Sequence, residues 1–74
     1  MSQLYLIKDL SRLSGHSIHT IKFYLKIGLL KEAGRFPQTN FRYFNKATQM
    51  RLERIRELRR EGKSLKEIKL ILKK

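Results

Sequence analysis

A mainly α-helical domain of four helices and one small β-hairpin is predicted by three features of this 74-residue sequence. The first is Ser17 to Leu30, SIHTIKFYLKIGLL, which reads as a capped, basic, aromatic-bearing helix that ends at a glycine. The second is a short helix just before it, separated by so few residues that the two helices must cross. The third is Phe41-Arg42-Tyr43-Phe44, one arginine among aromatics, which reads as a strand and follows the turn residues Gly34, Pro37, Thr39 and Asn40. Helix, short turn, helix and hairpin, in that order, is the layout of a winged helix-turn-helix.

The first helix is predicted at about Ile7 to Ser14: Ile7, Leu10 and Leu13 recur at three-residue spacing, and Gly15 occupies the position favoured just past a helix end. The second starts after Ser17, whose hydroxyl is placed to cap the amide of Thr20, and runs to Ile27 before Gly28. Ile18, Ile21 and Leu25 are predicted to share its core face, with Phe23 also in the core. Residues from Lys31 to Phe44 form the wing, with Phe41 and Tyr43 facing inward and Arg42 facing out by strand alternation. Asn45 is placed to cap a third helix that ends near Glu61 and Gly62, and Ser64 with Glu67 forms a capping box for a fourth, in which Leu65, Ile68 and Leu72 share a face. The whole chain, 1–74, is one domain: helix-turn-helix at about 7–27, wing at about 31–44, last two helices at about 46–73.

The charge narrows the function. Eighteen Lys and Arg against six Asp and Glu give a formal net charge of +12, which predicts attraction to a polyanion: nucleic acid first, an acidic membrane second. A 41% hydrophobic content is enough to fold. The absence of cysteine removes disulfides, thiolate metal sites and cysteine nucleophiles, and fits a reducing cytoplasm. No apolar run approaches the ~20 residues of a spanning helix and no signal-peptide pattern opens the chain, so the sequence predicts a soluble cytoplasmic protein with no membrane partner. No catalytic constellation or glycine-rich phosphate loop appears, and neither an enzyme nor a cofactor is predicted.

Candidate contacts follow from position. His16, Ser17, His19 and Thr20 lie where a recognition helix presents side chains to base edges. Lys22 and Tyr24 carry donors for phosphate oxygens, with a core role for Tyr24 equally open. Arg35 and Arg42 are the arginines of the wing, either solvated or set against phosphate. His16 and His19 lack a nearby third ligand, so no metal site is predicted. Arg51, Arg54, Arg56, Arg59 and Arg60 spread around the third helix, where Glu53, Glu57 and Glu61 are spaced to pair with several of them. Lys63, Lys66, Lys69, Lys73 and Lys74 add a basic tail for non-specific attraction.

Taken together, these pieces resemble the DNA-binding domain of MerR-type transcription regulators. The resemblance runs through Tyr5-Leu6-Ile7-Lys8-Asp9-Leu10, Ser14-Gly15-His16-Ser17, Thr20-Ile21-Lys22-Phe23-Tyr24, Ile27-Gly28-Leu29-Leu30, Phe41-Arg42-Tyr43-Phe44 and Glu61-Gly62-Lys63-Ser64-Leu65-Lys66-Glu67-Ile68. It implies that the second helix enters the major groove, that the wing holds the flanking backbone, and that Arg42 touches phosphate. Three positions depart from the family pattern. Lys22 replaces the usual arginine, turning a bidentate grip into a point-charge contact. Leu25 replaces a glutamate, and Thr39-Asn40 stands where Asn-Gly is common, with Asn able to take the left-handed conformation.

Family regulators continue into a long dimerising helix and an effector site, so the chain is expected to be an excised domain or a naturally short, excisionase-like relative. As an isolated chain it is expected to be monomeric, with a dimer on DNA or in a longer parent. The expected function is sequence-specific binding of double-stranded DNA in transcription regulation. The rival is an architectural, excisionase-like factor in recombination. A third reading, a membrane binder built on SLKEIKLILKK, leaves the wing without a purpose.

Overall fold

The computed structural model describes residues 3–73. Its order is α1 (Ile7–Ser14), α2 (Ile18–Lys26), β1 (Gly34–Arg35), β2 (Arg42–Tyr43), α3 (Lys46–Arg60) and α4 (Leu65–Leu72). The expected caps are present. Ser17 Oγ accepts from the Thr20 amide at 3.0 Å, Asn45 Oδ1 from the Thr48 amide at 3.2 Å, and Ser64 Oγ from the Glu67 amide at 3.1 Å. In return the Ser64 amide donates to Glu67 Oε1 at 3.0 Å, which holds that carboxylate below its ordinary titration range. Gly15 ends α1 at φ 79°, a conformation that side-chain-bearing residues rarely adopt, and so permits the tight turn into α2.

The helices enclose one core of Leu10, Ile21, Tyr24, Leu29, Leu30, Phe44, Leu52, Ile55, Leu58 and Ile68, closed at one side by Tyr5. α3 is its axis, placing Leu52, Ile55 and Leu58 on a single buried stripe. Leu65 and Leu72 flank Ile68 on the inner face of α4, as the spacing predicts. Other faces differ from expectation. Leu13 and Ile18 are exposed, and Ile21 and Tyr24 with half-buried Leu25 form the inner side of α2. Phe23, expected in the core, is 43% exposed.

The wing is short: β1 and β2 pair antiparallel in the register Gly34–Tyr43 and Arg35–Arg42. The loop between them closes with the Asn40 amide donating to the Phe36 carbonyl at 2.7 Å and Asn40 in the left-handed region at φ 60°. Its facing is offset from the sequence-based expectation. Phe41 is 62% exposed, Tyr43 is half-buried against Phe36 with ring centroids 4.9 Å apart, and Phe44 is the fully buried aromatic. A β-carbon at Gly34 would run into the Tyr43 ring, so the glycine makes room for that packing. Phe44 is anchored by a two-way bridge to Tyr5, each amide donating to the other's carbonyl at 2.8 Å. That bridge ties the chain ahead of α1 to the base of the wing.

The arginines of α3 also depart from expectation. Among the described residues only Arg54 pairs with one of the three glutamates, Glu57, at 4.0 Å. Others reach backbone carbonyls at the ends of neighbouring helices or in the loop after α2. Arg56 Nη1 donates to the Ser14 carbonyl at 2.6 Å, and Arg51 donates to the carbonyls of Leu29 at 2.8 Å and Leu72 at 3.3 Å. A helix C-terminus carries unpaired carbonyls and partial negative charge, so these cations fasten the ends of α1 and α4, and the loop after α2, onto α3.

Candidate nucleic-acid interface

With Ile21, Tyr24 and Leu25 turned inward, α2 presents His19, Lys22, Phe23 and Lys26 on its outer side, at positions that share one helical face. The N-terminal end of the helix is ordered by its own cap. Ser17 Oγ accepts from the Thr20 amide and donates its proton to Thr20 Oγ1 at 2.9 Å, so the serine hydroxyl is committed locally while Thr20 keeps a proton to donate. His19 is exposed and unencumbered by the core.

Two residues of the predicted contact set point elsewhere. Tyr24 is buried, 6% exposed, and belongs to the core, the second of its two expected placements. His16 is half-buried in the turn rather than projecting, with its ring edge-on to Tyr24 at 5.7 Å and Nδ1 enclosed without a hydrogen-bond partner among the described residues. Desolvation, followed by the nearby Arg56 charge, lowers its pKa, which favours the neutral imidazole. Among the described residues no three His, Cys, Asp or Glu side chains gather to hold a metal.

The wing faces the start of α1 and Lys22 of α2 across a cleft of about 560 Å³. Lys8 and Lys22 line it from the helical side and Arg35, Arg42 and Phe41 from the wing, with no carboxylate among the lining residues. Four cations around one open trough suit a polyanionic strand, and the exposed Phe41 ring offers an apolar surface beside them. Arg42 is not the free side chain expected. Its Nε is 2.8 Å from Glu32 Oε2, while Arg35 Nε is 2.8 Å from Glu32 Oε1. The Arg35 hydrogen bond is the main reason Glu32 titrates below the ordinary carboxylate range, with the charges of both arginines adding to it. A second groove of about 740 Å³ lies between the wing base, α3 and α4, lined by Lys31, Arg51, Lys66, Lys69 and Lys73 beside Leu70. It gathers most of the predicted basic tail. Lys74 lies outside the described residues.

Residues missed in the sequence share a reason. Glu32 and Phe41 gain significance only when the hairpin folds back, and Phe23 only when the phase of α2 is known.

Comparison with known proteins agrees with this geometry. Residues 5–74 match the family model described as MerR HTH family regulatory protein. The chain is 35% identical over 65 residues to the multidrug-efflux transporter 1 regulator of Bacillus subtilis (strain 168), covering 88% of this chain and 23% of that protein. It superimposes with a TM-score of 0.90 on a MerR family transcriptional regulator from Bacillus cereus, at 25% identity, covering 97% of this chain and 53% of that one. A second solved structure, HiNmlR, a MerR family regulator lacking the sensor domain and bound to promoter DNA, gives a TM-score of 0.82 at 32% identity, over 93% of this chain and 52% of that one. The chain thus spans about a quarter of the curated relative and about half of each solved chain. The caps, the bridged wing and the outward face of α2 are therefore those of a member of the MerR HTH family of regulatory proteins.

Proposed function

We propose that this domain binds double-stranded DNA sequence-specifically, as the DNA-binding part of a transcription regulator acting in the cytoplasm, and that it works by binding rather than catalysis. The observation that carries the reading is the cleft in which Lys22 of α2 faces Arg35 and Arg42 of the wing beside an exposed helix face. A helix lying in the major groove would bring His19 and Thr20 to base edges, with His16 and Ser17 flanking them. The backbone rising beside it would then meet Lys22, Arg35 and Arg42. A similar MerR family regulator bound to promoter DNA supports double-stranded DNA as the partner.

Selecting bound sequences from random duplex DNA tests the proposal directly, with a defined consensus as the expected outcome; enrichment of no sequence would remove specificity from the reading. On the selected site, His19→Ala is expected to lose about 1–3 kcal/mol of discrimination against random DNA while largely sparing non-specific binding. Thr20→Ala should lose less, because its hydroxyl is already partly engaged by Ser17. Equal losses on both DNAs would mean that this end of α2 reads no bases. Arg42→Ala is expected to weaken binding to specific and random DNA alike and to reduce the log-log salt slope by about one unit, as removal of one phosphate contact requires. A normal slope would take Arg42 out of the interface.

A further inference from the structure

The antiparallel register of the wing places Arg35 directly opposite Arg42. Two like charges in that relation repel, and each long side chain on an exposed hairpin samples many rotamers. Glu32, just ahead of β1, changes both facts. One of its oxygens accepts the Nε–H of Arg35 at 2.8 Å, and the other lies 2.8 Å from the Nε of Arg42 as an ion pair. A guanidinium has five N–H donors in a fixed fork, so a bond at Nε leaves the four on the terminal nitrogens available. Among the described residues the terminal nitrogens of these two arginines donate no hydrogen bond. Both side chains line the cleft that Lys22 closes from the helix side.

We propose that Glu32 is a positioning residue for phosphate: its carboxylate holds Arg35 and Arg42 side by side so that their terminal N–H groups meet the nucleic-acid backbone already ordered. The inference rests on the phosphate reading of the wing given above. Glu32 remains ionised through the neutral range because both arginines favour its charged form, so the clamp is closed under the conditions in which the domain would bind. Its use of Nε rather than the outer edge of each fork separates this role from that of a competitor. A carboxylate occupying the terminal nitrogens would have to leave before phosphate arrived, whereas one on Nε stays while phosphate binds.

The two roles predict opposite signs. On charge alone, Glu32→Gln removes an anion from a DNA-facing surface and should tighten binding. Freezing a flexible arginine on binding costs between about two- and tenfold in affinity per side chain, so loss of the clamp should weaken it. Ordering is expected to win because a neutral amide has one acceptor and cannot serve both arginines, and because the exposed negative charge is screened by salt.

The test measures affinity for a random-sequence duplex, since phosphate contacts do not depend on sequence, in the parent chain and in Glu32→Gln, Arg35→Ala, Arg42→Ala and the combined variants. Glu32→Gln is expected to weaken binding by roughly fivefold despite its added positive charge, with the salt slope and melting temperature unchanged. The Nε–H resonances of Arg35 and Arg42 should exchange faster with water in this variant. In an Arg35→Ala, Arg42→Ala background the same substitution should weaken binding no further, a coupling that a merely structural role would not give. Unchanged or tighter binding by Glu32→Gln, while Arg35→Ala and Arg42→Ala each bind more weakly, overturns the positioning role and leaves the phosphate reading standing. Parent-like binding by both arginine variants overturns the phosphate reading and the positioning role with it.

Discussion

Phe44→Ala is expected to abolish most of the domain's stability, while Tyr43→Ala leaves it folded. Phe44 is fully buried and follows β2 directly, where its backbone is bridged to Tyr5 and its ring enters the core among residues of all four helices. Truncating a buried phenylalanine typically costs about 3–5 kcal/mol, the lost transfer free energy plus the cavity left behind. A single core in a domain this small rarely supplies more than about 3–5 kcal/mol in total, so the variant should be largely unfolded at 25 °C. Tyr43 lies outside that core, half-buried against Phe36 and Gly34, and its truncation should cost about 1–2 kcal/mol, a drop of roughly 5–15 °C in Tm. Circular dichroism during heating and in urea checks both. A parent-like melt for Phe44→Ala would mean that the wing base is not part of the core.

The pair also shows where local sequence information stopped. FRYF contains three aromatics in four residues, so alternation alone cannot say whether positions 41 and 43 or position 44 enters the core. The strands are two residues long, too short to average out the ambiguity, and the phase is set instead by the bridge from Tyr5 to Phe44, 39 positions away. A one-residue offset reverses the facing of every side chain in the strand. It put Phe41 in solvent and left Tyr43 only half-covered.

Helix ends were legible for the opposite reason. Ser17 and Thr20, Asn45 and Thr48, and Ser64 and Glu67 are each three residues apart, and the chemistry that joins them acts within one turn. α2 sits between these cases. It has apolar or aromatic residues at 18, 21, 23, 24 and 25, enough for two overlapping stripes, and packing into the common core selects Ile21 and Tyr24 over Ile18 and Phe23. The arginines of α3 were opaque because their partners are distant in sequence. Local spacing points Arg56 to a neighbouring glutamate, yet its acceptor is the carbonyl of Ser14, 42 positions away. A carbonyl at a helix end leaves no mark on residue type.

Those carbonyl contacts bear on the largest effect expected of the proposed function, the dependence of DNA binding on salt. A net charge of +12 suggests a very steep response, but the structure divides the cations into groups. Arg51 and Arg56 are tied to backbone carbonyls within the fold, as is Lys69, whose Nζ donates to the Ile27 carbonyl at 2.8 Å. Lys8, Lys22, Arg35 and Arg42 share the open cleft, and the exposed Lys26 extends the same face of α2. Each phosphate neutralised releases about 0.9 of a counterion, so four to six contacts give a log-log slope of roughly −4 to −5. Raising salt from about 50 to 200 mM should then weaken binding by a few hundred-fold to about a thousandfold. Affinity measured across that range by fluorescence anisotropy decides the matter. A flat response would remove phosphate contact from the mechanism. A slope near −10 would require the carbonyl-bound cations or the lysines of the second groove to engage DNA as well, and α4 would then have to lie against the backbone rather than away from it.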